Sequence, residues 1–161
     1  MILMLSELHK NALWVIQDPW ETMDLVPAND IAIHSVNHYF ATKIAQYMKE
    51  NSVQHVITSS LSHFKIHPQL SKYHRITGED EIIHYYQKIG AQNIVICGFH
   101  NNSCIKRVTD HLGQYVRNKM FNLYVKENLV CTLAKNWRIT DTVLDLQYEH
   151  KSNYGQDTQV I

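Results

Sequence analysis

Four short apolar or β-branched runs, separated by segments of helical periodicity, limit what this chain can fold into. They are ALWVI (12–16), VQHVIT (53–58), NIVICG (93–98) and FNLYV (121–125). A run without polar alternation must be covered on both faces, as strands of a parallel sheet are. Between the runs, Val36, Phe40, Ile44, Tyr47 and Met48 fall on one face of a helix over residues 34–51. Thr77 opens T-G-E-D, a capping-box-like start, and Ile82, Ile83, Tyr86 and Ile89 then make an apolar stripe that Gly90 ends. From Ser103 onward, Ile105, Val108, Leu112, Tyr115 and Val116 repeat the helical spacing, weakened modestly by Gly113.

Strand and helix therefore alternate, which predicts a three-layer, Rossmann-like α/β domain with a mainly parallel central sheet flanked by helices. Residues 60–77 read as irregular. After residue 127 the pattern blurs: NLVCTLAK and RITDTVLDLQYE suit either two strands or a short helix and a strand. With no repeat and no break in composition, residues 1–161 read as one domain. The polar end, about 148–161, reads as a loose tail or a subunit contact.

Charge excludes several partners. Lys plus Arg and Asp plus Glu number 15 each, so no basic field invites nucleic acid or an anionic membrane. No window reaches the ~20 apolar residues of a membrane helix. The opening MILMLSELHKN is too short for a signal-peptide core and has no basic residue ahead of it. Three cysteines without a C-x-x-C pair speak against a disulfide framework or structural zinc, so a cytoplasmic setting is expected.

Ligands of open α/β sheets sit beyond the carboxyl ends of the strands. Three such ends can be located: Gln17–Asp18–Pro19, Thr58–Ser59–Ser60 and Gly98–His100. Cys104 lies just past the third, in the first turn of the next helix. There, free backbone N–H groups and the helix dipole favour a thiolate. On position alone, Cys104 is either a thiol placed to attack or a small buried hydrophobe, as Cys97 and Cys131 are read to be.

The stretch GFHNNSCI, behind an apolar strand and ahead of an amphipathic helix, resembles the nucleophile motif of isochorismatase-like cysteine hydrolases. The Gly98 to Cys104 spacing and the order of elements over roughly residues 11–127 are similar to that family as well. The resemblance implies an amidohydrolase with an Asp–Lys–Cys triad. Its substrate would be a small amide or related C–N-bonded metabolite, cleaved through a Cys104 thioester without a cofactor. It also implies a non-proline cis peptide within residues 98–101 and a homo-oligomer (dimer or tetramer). Phe99, His100 and Asn101, standing between Gly98 and Cys104, are expected at the pocket mouth, and Trp20, near a strand end, at its wall.

Transfer of the triad is uneven. Cys104 fits. Aligned on the apolar run, Gln17 occupies the aspartate's place and Asp18 comes one residue late, which in a regular strand reverses the side chain. Asp18 is thus either the base or a turn residue before Pro19. Lys72 is the expected lysine and Lys65 the alternative. Lys106 and Arg107 read as solvent-facing charges. Some relatives carry a metal near the second strand end. Here His63 and His67 are four apart, but serines stand where the aspartate would be, so no metal is expected. Two other readings remain: an inactive binding protein that has lost its base to Gln17, and a redox-sensing thiol.

Overall fold

A computed structural model describes residues 5–19, 31–62, 64–100, 104–131 and 154–161. The helix α1 (Leu5–Asn11) leads into β1 (Ala12–Gln17), followed by α2 (Ile31–Glu50), β2 (Val56–Ser59), a 3-10 turn at Pro68–Leu70 and β3 (His74–Ile76). Then come α3 (Glu79–Ile89), β4 (Asn93–Phe99), α4 (Lys106–Arg117), β5 (Asn122–Cys131) and β6 (Gln159–Val160). The strands form one sheet in the order β3-β2-β1-β4-β5-β6, with every pairing parallel.

The central strands are apolar throughout because both faces are covered. Ala12, Trp14 and Ile16 of β1 pack with Val36, Phe40 and Ile44 of α2. Leu13 and Val15, pointing the other way, pack with Ile82 of α3 and Val108 and Leu112 of α4. Three layers result, as the alternation of runs implied. Trp14 is fully buried, and its indole N–H is satisfied by the Leu8 carbonyl at 2.8 Å.

Both edge strands are absent from the sequence reading. β3 lies inside the segment read as irregular. β6 occupies the end read as loose or as a subunit contact. Residues 154–161 instead dock on their own chain: Gly155 N–H donates to Thr109 Oγ1 at 2.7 Å, and Ile161 N–H donates to the Val125 carbonyl at 2.9 Å. The ambiguity after residue 127 resolves, as far as Cys131, into continuation of β5. With a register shift opposite Ile96–Gly98, NLYV and NLVC belong to one strand of ten residues. At α3, Thr77 N–H is capped by Glu81 Oε2 at 2.8 Å, one residue beyond the acid of the T-G-E-D pattern. Among the described residues no helix is long and apolar enough to cross a membrane.

Gly98 brings the site together. It pairs with Gln17 in the β1–β4 register and has a φ of 113°. A Cβ there would lie 2.4 Å from the Gln17 carbonyl oxygen and 2.6 Å from its nitrogen. Only glycine allows β4 to end so close to the last residue of β1.

Candidate active site

A cavity of about 400 Å³ opens at the carboxyl ends of the strands. It is built from Gln17 at the end of β1 and Asp18 just after it, Ser59 at the end of β2, Glu79 at the start of α3, Cys104 just before α4 and Arg107 within α4.

Asp18 reaches this cavity through its backbone. Its N–H still donates to the Ser59 carbonyl at 2.8 Å, so the chain remains in register with β2. Its φ of 47° then leaves the strand conformation. Aspartate tolerates this left-handed region better than most residues. Departure from extended geometry removes the strict side-chain alternation that would have sent Asp18 away from Gln17. Both side chains line the cavity.

The Asp18 carboxyl group is 5 % exposed and hydrogen-bonds with the Cys104 thiol. Gln17 Nε2 donates to Asp18 Oδ2 at 3.3 Å, and Arg107 Nη2 lies 3.7 Å from the same oxygen. Burial raises the Asp18 pKa above its ordinary 3.8, against the opposing pull of the Cys104 and Gln17 hydrogen bonds and the Arg107 charge. A carboxylate that accepts a proton more readily than usual, in contact with a thiol, has the chemistry of a general base.

The other expected residues fall elsewhere. Lys72 is exposed, with its Nζ 5.2 Å from the Tyr73 ring centre. It precedes β3 in a parallel sheet and so stands at the opposite end of that strand from the cavity. Lys65 lines a different cavity, with Thr58 and Arg75. Neither lysine lines the cavity of Cys104.

Phe99 and His100 also need correction. Phe99 packs in the core with Val36 and Phe40. His100 is buried, and its Nε2 hydrogen-bonds to Asn37 Oδ1 of α2 at 2.9 Å. Both turn toward the α2 layer rather than toward Cys104. Trp20 and Asn101 lie outside the described residues, as does His63. His67 caps the 3-10 turn, accepting from Gln69 N–H at 3.2 Å, and its Nε2 lies 3.1 Å from His38 Nδ1. The Phe99–His100 peptide bond is cis, within the span where the resemblance placed such a bond. Cys97 and Cys131 are buried, and burial pushes both thiols up.

Burial lowers the His100 pKa to about 4, so this ring is neutral at physiological pH. The folded chain then binds fewer protons here than the unfolded chain as pH falls below 6.5. Stability is therefore lost between 6.5 and about 4. Urea titrations across that window should show a loss on the order of 3 kcal/mol. His100→Gln should flatten this pH dependence, and an unchanged slope would exclude His100 as its source. Asn37→Ala, which strands the buried imidazole, should cost about 1–3 kcal/mol at pH 7.

Sequence reasoning missed Arg107 and Glu79 at the cavity, and Asn37 as the buried partner of His100. Arg107 could have been found, since it stands three residues beyond Cys104, one helical turn along the same face.

The described residues thus define an open, all-parallel α/β domain with a thiol and a carboxyl group meeting beyond the strand ends. That is the isochorismatase-like fold. An isochorismatase from Pseudomonas putida superposes with a TM-score of 0.53 at 11 % identity, covering 86 % of this chain and 77 % of that one. YcaC from Pseudomonas aeruginosa, in a structure with hexane-2,5-diol and covalent acrylamide, superposes with a TM-score of 0.52 at 14 % identity. That match covers 76 % of this chain and 65 % of YcaC. No protein-family model and no curated protein matches the sequence itself.

Proposed function

We propose that the protein is a cysteine hydrolase acting on a small amide or a comparable C–N-bonded metabolite. The observation that carries this reading is the hydrogen bond between the buried Asp18 carboxyl group and the Cys104 thiol inside a cavity. The isochorismatase-like fold supports it.

In this mechanism Asp18 takes the thiol proton as the Cys104 sulfur attacks the amide carbon, forming the S–C bond. The oxyanion is met by the backbone N–H of Cys104. When the C–N bond breaks, the proton on Asp18 passes to the leaving nitrogen, and ammonia or an amine departs. Asp18 then accepts a proton from water, whose oxygen attacks the thioester. The carboxylic acid product leaves, and the proton returns to sulfur.

The test is an ammonia-release screen of small uncharged and charged amides with the intact chain and with Cys104→Ala. Release by the wild type that Cys104→Ala lowers at least ~1000-fold is the expected result. If no amide is cleaved while a thermal-shift screen of small molecules finds ligands, the hydrolase reading gives way to a binding protein.

A further inference from the structure

We propose that Arg107, held in place by Glu79, is a catalytic residue. It provides the positive charge that stabilises the Asp18–Cys104 pair while the thiol proton moves to the carboxylate. The inference rests on Cys104 as the nucleophile and assigns the charge partner that neither Lys72 nor Lys65 supplies.

Proton transfer from sulfur to Asp18 moves one negative charge from oxygen to sulfur without creating a new one. A cation placed near both atoms stabilises the charge before and after the transfer, so the pair stays ionised whichever atom holds the proton. Arg107 is so placed. Its Nη2 is 3.7 Å from Asp18 Oδ2, and it stands one helical turn beyond Cys104. Its charge bears on both Cys104 and Asp18.

Glu79 fixes the orientation. Arg107 Nε donates to Glu79 Oε1 at 2.8 Å, which leaves Nη2 toward Asp18. A guanidinium can engage two carboxylates at once through different edges of its plane, which an ammonium does less well. The neighbouring cations of α4 are engaged elsewhere: Lys106 with Asp110 at 2.6 Å, and Arg117 with Asp157. Of the described residues lining the cavity, Arg107 is the sole lysine or arginine.

The charge is also permanent. A lysine in this place could lose its proton at alkaline pH, whereas arginine stays protonated throughout the working range.

The experiment measures the rate at which iodoacetamide alkylates Cys104, followed by peptide mass spectrometry from pH 5 to 10. The intact chain is compared with Arg107→Ala, Arg107→Lys and Glu79→Gln, and each melting temperature is recorded. No substrate is needed, so failure of the hydrolase reading does not obscure the result. Arg107→Ala is expected to slow alkylation at pH 7 by about fivefold or more and to displace the profile toward higher pH. Arg107→Lys should recover most of the rate, and Glu79→Gln should fall between. Melting temperatures should stay within about 3 °C, since Arg107 is 60 % exposed and such pairs contribute little to stability. An Arg107→Ala profile that superimposes on the wild type overturns the proposal. So does an equal loss in Arg107→Ala and Arg107→Lys, which would make the role one of shape rather than charge.

Discussion

Replacing Asp18 by Asn should separate activity from stability in opposite directions. Turnover of any amide that the protein hydrolyses should fall at least ~100-fold, because Asn cannot accept the thiol proton. Resistance to unfolding at pH 7 should rise. Burial raises the Asp18 pKa above 3.8, so the folded chain holds this proton more tightly than the unfolded chain does. The stability associated with it is full below about 3.8 and is lost as pH climbs through the raised folded value. Asn carries no such loss and can still accept the hydrogen bond from Gln17. Melting curves of the two proteins at pH 7 and pH 4 provide the check, with the gap closing at the lower pH. An Asp18→Asn variant that melts below the wild type at pH 7 would mean that the carboxylate is a structural anchor rather than a base held at a cost in stability.

Of the five glycines, Gly98 should be the one where a change to Ala is most damaging. The added carbon would meet the Gln17 backbone at 2.4 and 2.6 Å, and the φ of 113° is a conformation that L-residues avoid. Relief requires β1 and β4 to part where they hold the two halves of the site. A cost of roughly 3–5 kcal/mol follows from the strained dihedral and the overlap together. For a chain of 161 residues this lowers the melting temperature by about 10 °C. Surviving folded protein should also alkylate Cys104 more slowly, since Asp18 and the thiol are displaced relative to each other. A variant that melts like the wild type would show that the strands can separate at no cost.

What could be read from the sequence tracks how each residue is constrained. The central strands were legible because coverage on both faces leaves apolar runs such as ALWVI and NIVIC with no alternation. The edge strands were not, since HRI and QV are three and two residues long and bury little. The place of Cys104 at the cavity was legible through its distance from Gly98. Asp18 was ambiguous because its approach depends on one backbone dihedral, which no side-chain pattern encodes. The charge beside it was misplaced for a different reason. Lys72 suited an order of elements, but the missed strand β3 carries the chain between Lys72 and the cavity. Arg107, with its exposed stem, shows the periodicity of an ordinary helix surface. His100 and Phe99 were assigned to the pocket because they precede Cys104, whereas the end of β4 turns them into the α2 layer.

The Arg107–Glu79 ion pair and, one turn further along α4, the His111–Asp80 contact at 3.1 Å join α4 to the start of α3, and Asp80 is 90 % exposed. Dissolved ions compete with contacts of this kind, whose reach is only about 10 Å at 0.1 M salt. Ionic strength is therefore a variable of the site itself, alongside pH. Rates compared between buffers carry meaning for this protein only when the salt concentration is held constant.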